Sequence, residues 1–96
     1  MDTIWKFDFE VTDYIEIEMP KDAKILSVQI QHEKPCIWAG VIAGNDTEKR
    51  KFRIFGTGHP IAMNANGLKF IGTFQLMNGN FVGHLFEDIG VESVSN

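Results

Sequence analysis

The chain has 96 residues, a formal net charge of −4 and a 44% hydrophobic fraction that includes eight Phe and two Trp. One domain accommodates that length, and that much apolar surface excludes a disordered chain. The acidic balance argues against a general nucleic-acid-binding surface, which needs bases to neutralise phosphates. A single cysteine excludes an internal disulfide.

Nothing in the chain repeats at the helical period. Apolar residues alternate or run in short blocks between turn signals, which predicts an all-β sandwich or flattened barrel of about seven short antiparallel strands in meander-like order. The first run, Thr3 to Val11, places Trp5, Phe7, Phe9 and Val11 on one face and Lys6, Asp8 and Glu10 on the other. Met1 to Lys6 has no basic or long apolar region of a secretory signal. The longest apolar stretch, Cys36 to Ala43, is too short to span a membrane. Both predict a soluble, intracellular protein with no membrane partner.

After a turn at Thr12-Asp13, Tyr14 to Met19 puts Ile15, Ile17 and Met19 inward and Glu16 and Glu18 outward. Pro20-Lys21-Asp22 reads as a turn, because proline presets φ and ends a ladder. Lys24 to His32 is the third strand, with Leu26, Val28 and Ile30 sharing a face. Glu33-Lys34-Pro35 is the next turn. Cys36 to Ala43 does not alternate, so it reads as a central strand covered on both faces, with Gly40 marking a bulge or a close approach to an aromatic. Cys36 itself reads as a small buried hydrophobe.

Gly44 to Thr47 reads as a hairpin connection into Glu48 to Phe55, where Phe52 and Ile54 point inward. Gly56 to Gly67 is the longest irregular segment, with a helical turn expected near Ala62 to Ala65. Leu68 to Leu76 is the sixth strand, with Leu68, Phe70, Phe74 and Leu76 on one face. Asn78-Gly79-Asn80 closes a hairpin into Phe81 to Phe86, since Asn-Gly accepts positive φ. Residues 1–87 thus form one all-β domain, and residues 88–96 read as a flexible acidic and polar tail. The free edges of such a sheet predict a homo-oligomer.

Four features carry chemistry. The segment Arg53-Ile54-Phe55-Gly56-Thr57-Gly58-His59-Pro60-Ile61 reads either as a plain glycine turn or as an anion site. In the second reading the closely spaced Gly56 and Gly58 let consecutive backbone amides point into a concavity, Thr57 offers its hydroxyl and His59 its imidazole, and Arg53 clamps the anion from the preceding strand. It is not a P-loop, because no Gly-Lys-Ser/Thr and no helix follow. The basic cluster Lys49, Arg50, Lys51 and Arg53 contrasts with six acids among the first eighteen residues, which suggests a dipolar surface or a charge-protected edge strand. On an alternating strand Lys49, Lys51 and Arg53 line one face and Arg50 the other. His32, His59, His84 and Cys36 fit no zinc spacing, and Glu16 with Glu18 is an ordinary solvated pair. Phe55, Val82 and Phe86 face away from Phe52, Phe81 and Leu85, so both faces of the C-terminal half carry apolar residues. No catalytic residue, metal or cofactor is expected.

The segments Thr3-Ile4-Trp5-Lys6-Phe7, Ile17 to Gln29, Phe52 to Ile61, Phe70-Ile71-Gly72-Thr73-Phe74-Gln75 and His84-Leu85-Phe86-Glu87 resemble a family of small proteins of unknown function, encoded mainly by bacteriophages and prophages. The resemblance covers the chain up to about Glu87. It implies a non-enzymatic accessory protein in the cytoplasm of an infected bacterial host, counteracting antiviral defence by binding. The ligand is then an anionic, nucleotide-derived signal held at Gly56 to His59 with Arg53. The alternatives are a protein–protein inhibitor of a host defence protein, or a minor virion or assembly component.

Overall fold

The computed structural model describes residues 1–61 and 65–90. Among them are seven strands, β1 (Thr3–Asp8), β2 (Tyr14–Pro20), β3 (Lys24–Gln31), β4 (Lys34–Val41), β5 (Thr47–Gly56), β6 (Leu68–Leu76) and β7 (Phe81–Asp88). All pair antiparallel, in a three-stranded sheet ordered β1-β4-β3 and a four-stranded sheet ordered β2-β5-β7-β6. The all-β expectation holds. Among the described residues no ladder joins the two sheets, so the barrel alternative gives way to a sandwich.

The core lies between the sheets. From the first come Val28, Ile37, Ala39 and Val41; from the second Ile15, Met19, Phe52, Ile54, Phe74 and Leu85, all buried. Phe9, just past β1, meets Phe74 of β6 edge-on at 6.0 Å and 82°, so one aromatic pair bridges the layers. β4 is central, as its unbroken apolar run implies, and Cys36 is fully buried. What packs over Gly40 is the Met1 side chain, not an aromatic ring.

The meander order is wrong in a specific way. Among the described residues only β3–β4 and β6–β7 are hairpins; β1 pairs with β4 and β2 with β5. The Gly44 to Thr47 segment therefore crosses between sheets and is not a hairpin. It is anchored to the β2–β3 turn, where the Lys21 amide donates to the Asp46 carbonyl and the Asn45 side-chain amide donates to the Lys21 carbonyl. The β3–β4 turn falls on His32 and Glu33, both at positive φ, rather than on Glu33 to Pro35. Lys34 and Pro35 already belong to β4.

Two bulges displace the alternation. One lies between Ile25 and Ser27, so Ile25 packs on the core and Leu26 is exposed. The other lies between Phe70 and Gly72, so Phe74 faces the core while Phe70 turns to the outer face, 56% exposed. An extra residue on one strand shifts every later side chain to the opposite face. β5 lies inside its sheet, so the basic cluster is not an edge strand. Trp5, on the edge strand β1, and Val11, three residues past its end, are exposed rather than inward.

The helical turn expected near residues 62–65 lies largely outside the described residues; a 3₁₀ turn spans Ala65–Gly67. β7 ends at Asp88, Ile89 and Gly90 follow, and residues 91–96 of the expected tail lie outside the described residues.

Candidate functional site

β5 and β6 share a sheet but are separated by β7. β5 ends beside the start of β7, where Gly56 faces Gly83, and β6 begins beside its end, where Leu68 faces Asp88. Thr57 and Gly67, which follow β5 and precede β6, thus lie toward opposite ends of β7. Ile61 lies beside Phe70, Phe86 and His84 on the outer face of the four-stranded sheet.

The register sets that face in rows. Tyr14, Arg53, Phe86 and Phe70 lie directly opposite one another across β2, β5, β7 and β6, and the next row is Phe55, His84 and Thr73. The Arg53 guanidinium lies over two rings, 5.7 Å from the Tyr14 centroid and 5.6 Å from that of Phe55. Phe86 meets Phe55 at 5.7 Å and Phe70 at 5.3 Å, both near T-shaped. Arg53 Nε also donates to the Asp13 carbonyl, at 3.3 Å.

At the end of β5 the chain turns. The His59 amide donates to the Gly56 carbonyl at 3.1 Å, with Gly58 at φ 87° in the position that requires left-handed backbone. The Thr57 amide donates to the Val82 carbonyl. The amides of Thr57 and His59 thus donate to carbonyls of β7 and β5. What the segment presents is its side chains. The His59 ring lies against the Cα of Gly56, where an added Cβ would come within 2.9 Å of Nδ1.

His84 is held at both ring nitrogens. Thr57 Oγ1 lies 2.6 Å from Nε2 and Thr73 Oγ1 2.9 Å from Nδ1. In the neutral ring one hydroxyl accepts and the other donates, so the contact ties the loop to β6 through β7.

Two clefts flank the ridge of Phe55, Gly56 and His59. One, of about 310 Å³, is bordered by Arg53, His59, Pro60 and Asp13. The other, of about 240 Å³, is walled by Phe55, Phe70, Phe86, Ile61 and His84. The first offers a guanidinium and an imidazole; the second offers aromatic faces. All five residues expected from the sequence, Arg53, Gly56, Thr57, Gly58 and His59, border one cleft or the other. Tyr14, Phe70 and His84 were not foreseen as part of the site. Phe55 and Phe86 were placed on the outward face by alternation, and they lie there.

The remaining candidates stay apart. Glu16 and Glu18 lie opposite Lys51 and Lys49, so acids and bases that are separate in sequence become neighbours on the sheet. Arg50 turns inward and pairs with Glu87 through Nε at 2.5 Å and Nη2 at 3.1 Å. That hydrogen bond pushes the guanidinium's affinity for its proton above its ordinary value, against the effect of burial. The Cys36 thiol donates to Asp8 Oδ1 at 3.1 Å. Burial first and then the Asp8 contact push the thiol up, while the thiol holds the Asp8 carboxyl down. Among the described residues no group of three or more His, Cys, Asp and Glu is placed to hold a metal ion, and no helix is long and apolar enough to cross a membrane.

A family model described as Domain of unknown function (DUF7352) matches residues 1–94. The chain belongs to that family. The match takes in residues beyond Glu87, where the resemblance drawn from sequence ended. No curated protein and no solved structure matches the chain.

Proposed function

We propose that the protein is a non-enzymatic binding protein that takes a small anionic, nucleotide-like ligand between the Thr57 to Ile61 loop and the outer face of the four-stranded sheet. The base stacks in the cleft of Phe55, Phe70 and Phe86, and the anion lies across the ridge against Arg53 and His59. The observation that carries this reading is the placement of Arg53, stacked on Tyr14 and Phe55 at the border of one cleft and beside the aromatic walls of the other. A planar ring with a charged substituent matches that pairing of stacking surface and cation. In the phage setting that the resemblance implies, such binding removes a host's nucleotide-derived immune signal from circulation.

The test is thermal denaturation and calorimetry against a panel of nucleoside monophosphates and cyclic mono- and dinucleotides. A ligand at a hundred times its Kd adds about 2.7 kcal/mol, which raises the Tm of a domain this size by roughly 10–20 °C. Arg53→Ala and His59→Ala should abolish the shift and keep the native circular dichroism. A wild-type protein that no member of the panel stabilises would refute the reading. The second reading, inhibition of a host defence protein, is favoured by the exposure of Phe70 (56%) and Tyr14 (45%) on the same face. It predicts a host complex lost in Phe70→Ser and indifferent to nucleotides.

A further inference from the structure

The sandwich has four edge strands, β1 and β3 in one sheet and β2 and β6 in the other. Edges attract foreign strands unless they are blunted. β3 carries the bulge at Leu26 and β6 the bulge at Ile71, and these two edges lie against each other. β2 ends in Pro20 and carries Glu16 and Glu18. β1 has neither a bulge nor a proline, and its only such devices are the charges of Lys6 and Asp8. It runs six residues in unbroken register with β4 and leaves Ile4 57% and Trp5 40% exposed.

The backbone of β1 is oriented for a further partner. The Phe9 amide donates to the Pro35 carbonyl in continuation of the β1–β4 register, at 3.1 Å. In an antiparallel ladder the amides of alternate residues point to opposite sides. The odd positions of β1 therefore address β4, and Ile4, Lys6 and Asp8 direct their amides and carbonyls to the open side.

We propose that β1 pairs antiparallel with β1 of a second copy, joining two three-stranded sheets into one of six. One register satisfies both backbone and side chains. With Phe7 opposite Phe7, Lys6 falls opposite Asp8 of the second copy, and the symmetry repeats that pair. Residues 6 and 8 are then the hydrogen-bonded positions that the open amides require. Opposite charges face each other on one side of the sheet. On the other, Trp5 and Phe7 are already in contact at 6.4 Å within one chain; Phe7 meets Phe7 of the second copy directly, and Trp5 reaches that ring on the diagonal. The occupant is a second copy because the strand is its own charge complement in this register.

Sedimentation velocity over a wide concentration range tests it. The wild type should approach twice the 10.9 kDa chain mass. Lys6→Pro removes an amide that faces the open side, which an edge strand tolerates, together with the exposed contacts of the Lys6 ammonium to Gln31 and Asp8, and should sediment as a monomer with a near-native melting profile. Lys6→Asp and Asp8→Lys should each place like charges opposite each other twice and weaken association roughly tenfold or more. Mixing those two variants restores Asp opposite Lys in both pairs and should restore the dimer. A wild type that stays monomeric throughout, or a dimer that Lys6→Pro leaves intact, overturns the proposal. Neither result bears on nucleotide binding, since the two clefts lie on the other sheet.

Discussion

Replacing Glu87 by Gln should be among the most damaging single substitutions outside the apolar core. Glu87 is 8% exposed, the one buried charged residue among the described residues. Its carboxylate accepts from Arg50 Nε at 2.5 Å and Nη2 at 3.1 Å, while Arg50 Nη1 donates to the Ala23 carbonyl at 2.9 Å. Ala23 follows the β2–β3 turn, so the guanidinium fastens β7 and β5 of one sheet to the chain entering the other. Removing one partner of a buried pair costs about 3–5 kcal/mol. The Arg50 side chain keeps 18% exposure and has Glu48 at 3.9 Å, which lowers the expected loss to about 2–3 kcal/mol. For a domain of this length that is a fall in Tm of roughly 10–20 °C. Urea denaturation of wild type, Glu87→Gln, Arg50→Met and the double variant Arg50→Met/Glu87→Leu measures it. The double variant should recover much of the loss, because well-packed apolar replacements of a buried pair are often near neutral. A Glu87→Gln protein within about 0.5 kcal/mol of wild type would show that the pair is effectively solvated and would refute the reasoning.

Gly83→Ala should destabilise by about 1–3 kcal/mol, since its Cβ would sit 2.7 Å from Phe74 Cζ and 2.9 Å from Phe81 Cε2. Gly44→Ala, with nothing within 4 Å of the added carbon, should be neutral or slightly stabilising in the same urea series. Cys36 gives a pH dependence of defined sign. Its thiol is pushed above its ordinary 9.0 by burial and by Asp8, so the native state binds that proton more tightly than the unfolded chain. The contribution is fully present below pH 9 and is lost as pH rises through the elevated value. Stability measured from pH 8 to 11 should therefore decline more steeply for wild type than for Cys36→Ala. Native wild type should also react with a thiol reagent at pH 8 far more slowly than the urea-unfolded chain.

Side-chain alternation was sufficient wherever a strand is regular. On β5 it separates Phe52 and Ile54 from Arg53 and Phe55, and it places Arg50 on the inward face where Glu87 meets it. The same parity along β7 puts Leu85 and Glu87 inside and His84 and Phe86 outside. Pairing was less accessible. A tight turn such as His32–Glu33 or Met77–Asn80 enforces adjacency, but nothing local distinguishes Gly44 to Thr47, which crosses between sheets, from a hairpin. The loop from Gly56 to His59 shows a related limit. Glycine spacing shows where backbone can turn, but it does not show that the Val82 and Gly56 carbonyls will take up the Thr57 and His59 amides.

The bulge at Ile71 links these limits to the site itself. In an unbroken β6, Phe70 would share the inward face with Phe74, and the outer row would end at Phe86. The extra residue turns Phe70 outward against Phe86 at 5.3 Å. It also leaves Gly72 where a Cβ would press within 2.9 Å of Val28 in the opposite sheet, so glycine is what lets the two sheets close over the bulge. A glycine inside an apolar strand was the only sign of this in the sequence, and such a glycine equally marks a bulge or a close approach; here it marks both. The aromatic wall of the second cleft is therefore a product of the irregularity that periodicity cannot see. The cleft beside Phe70 and Phe86 thus arises where the register of β6 breaks.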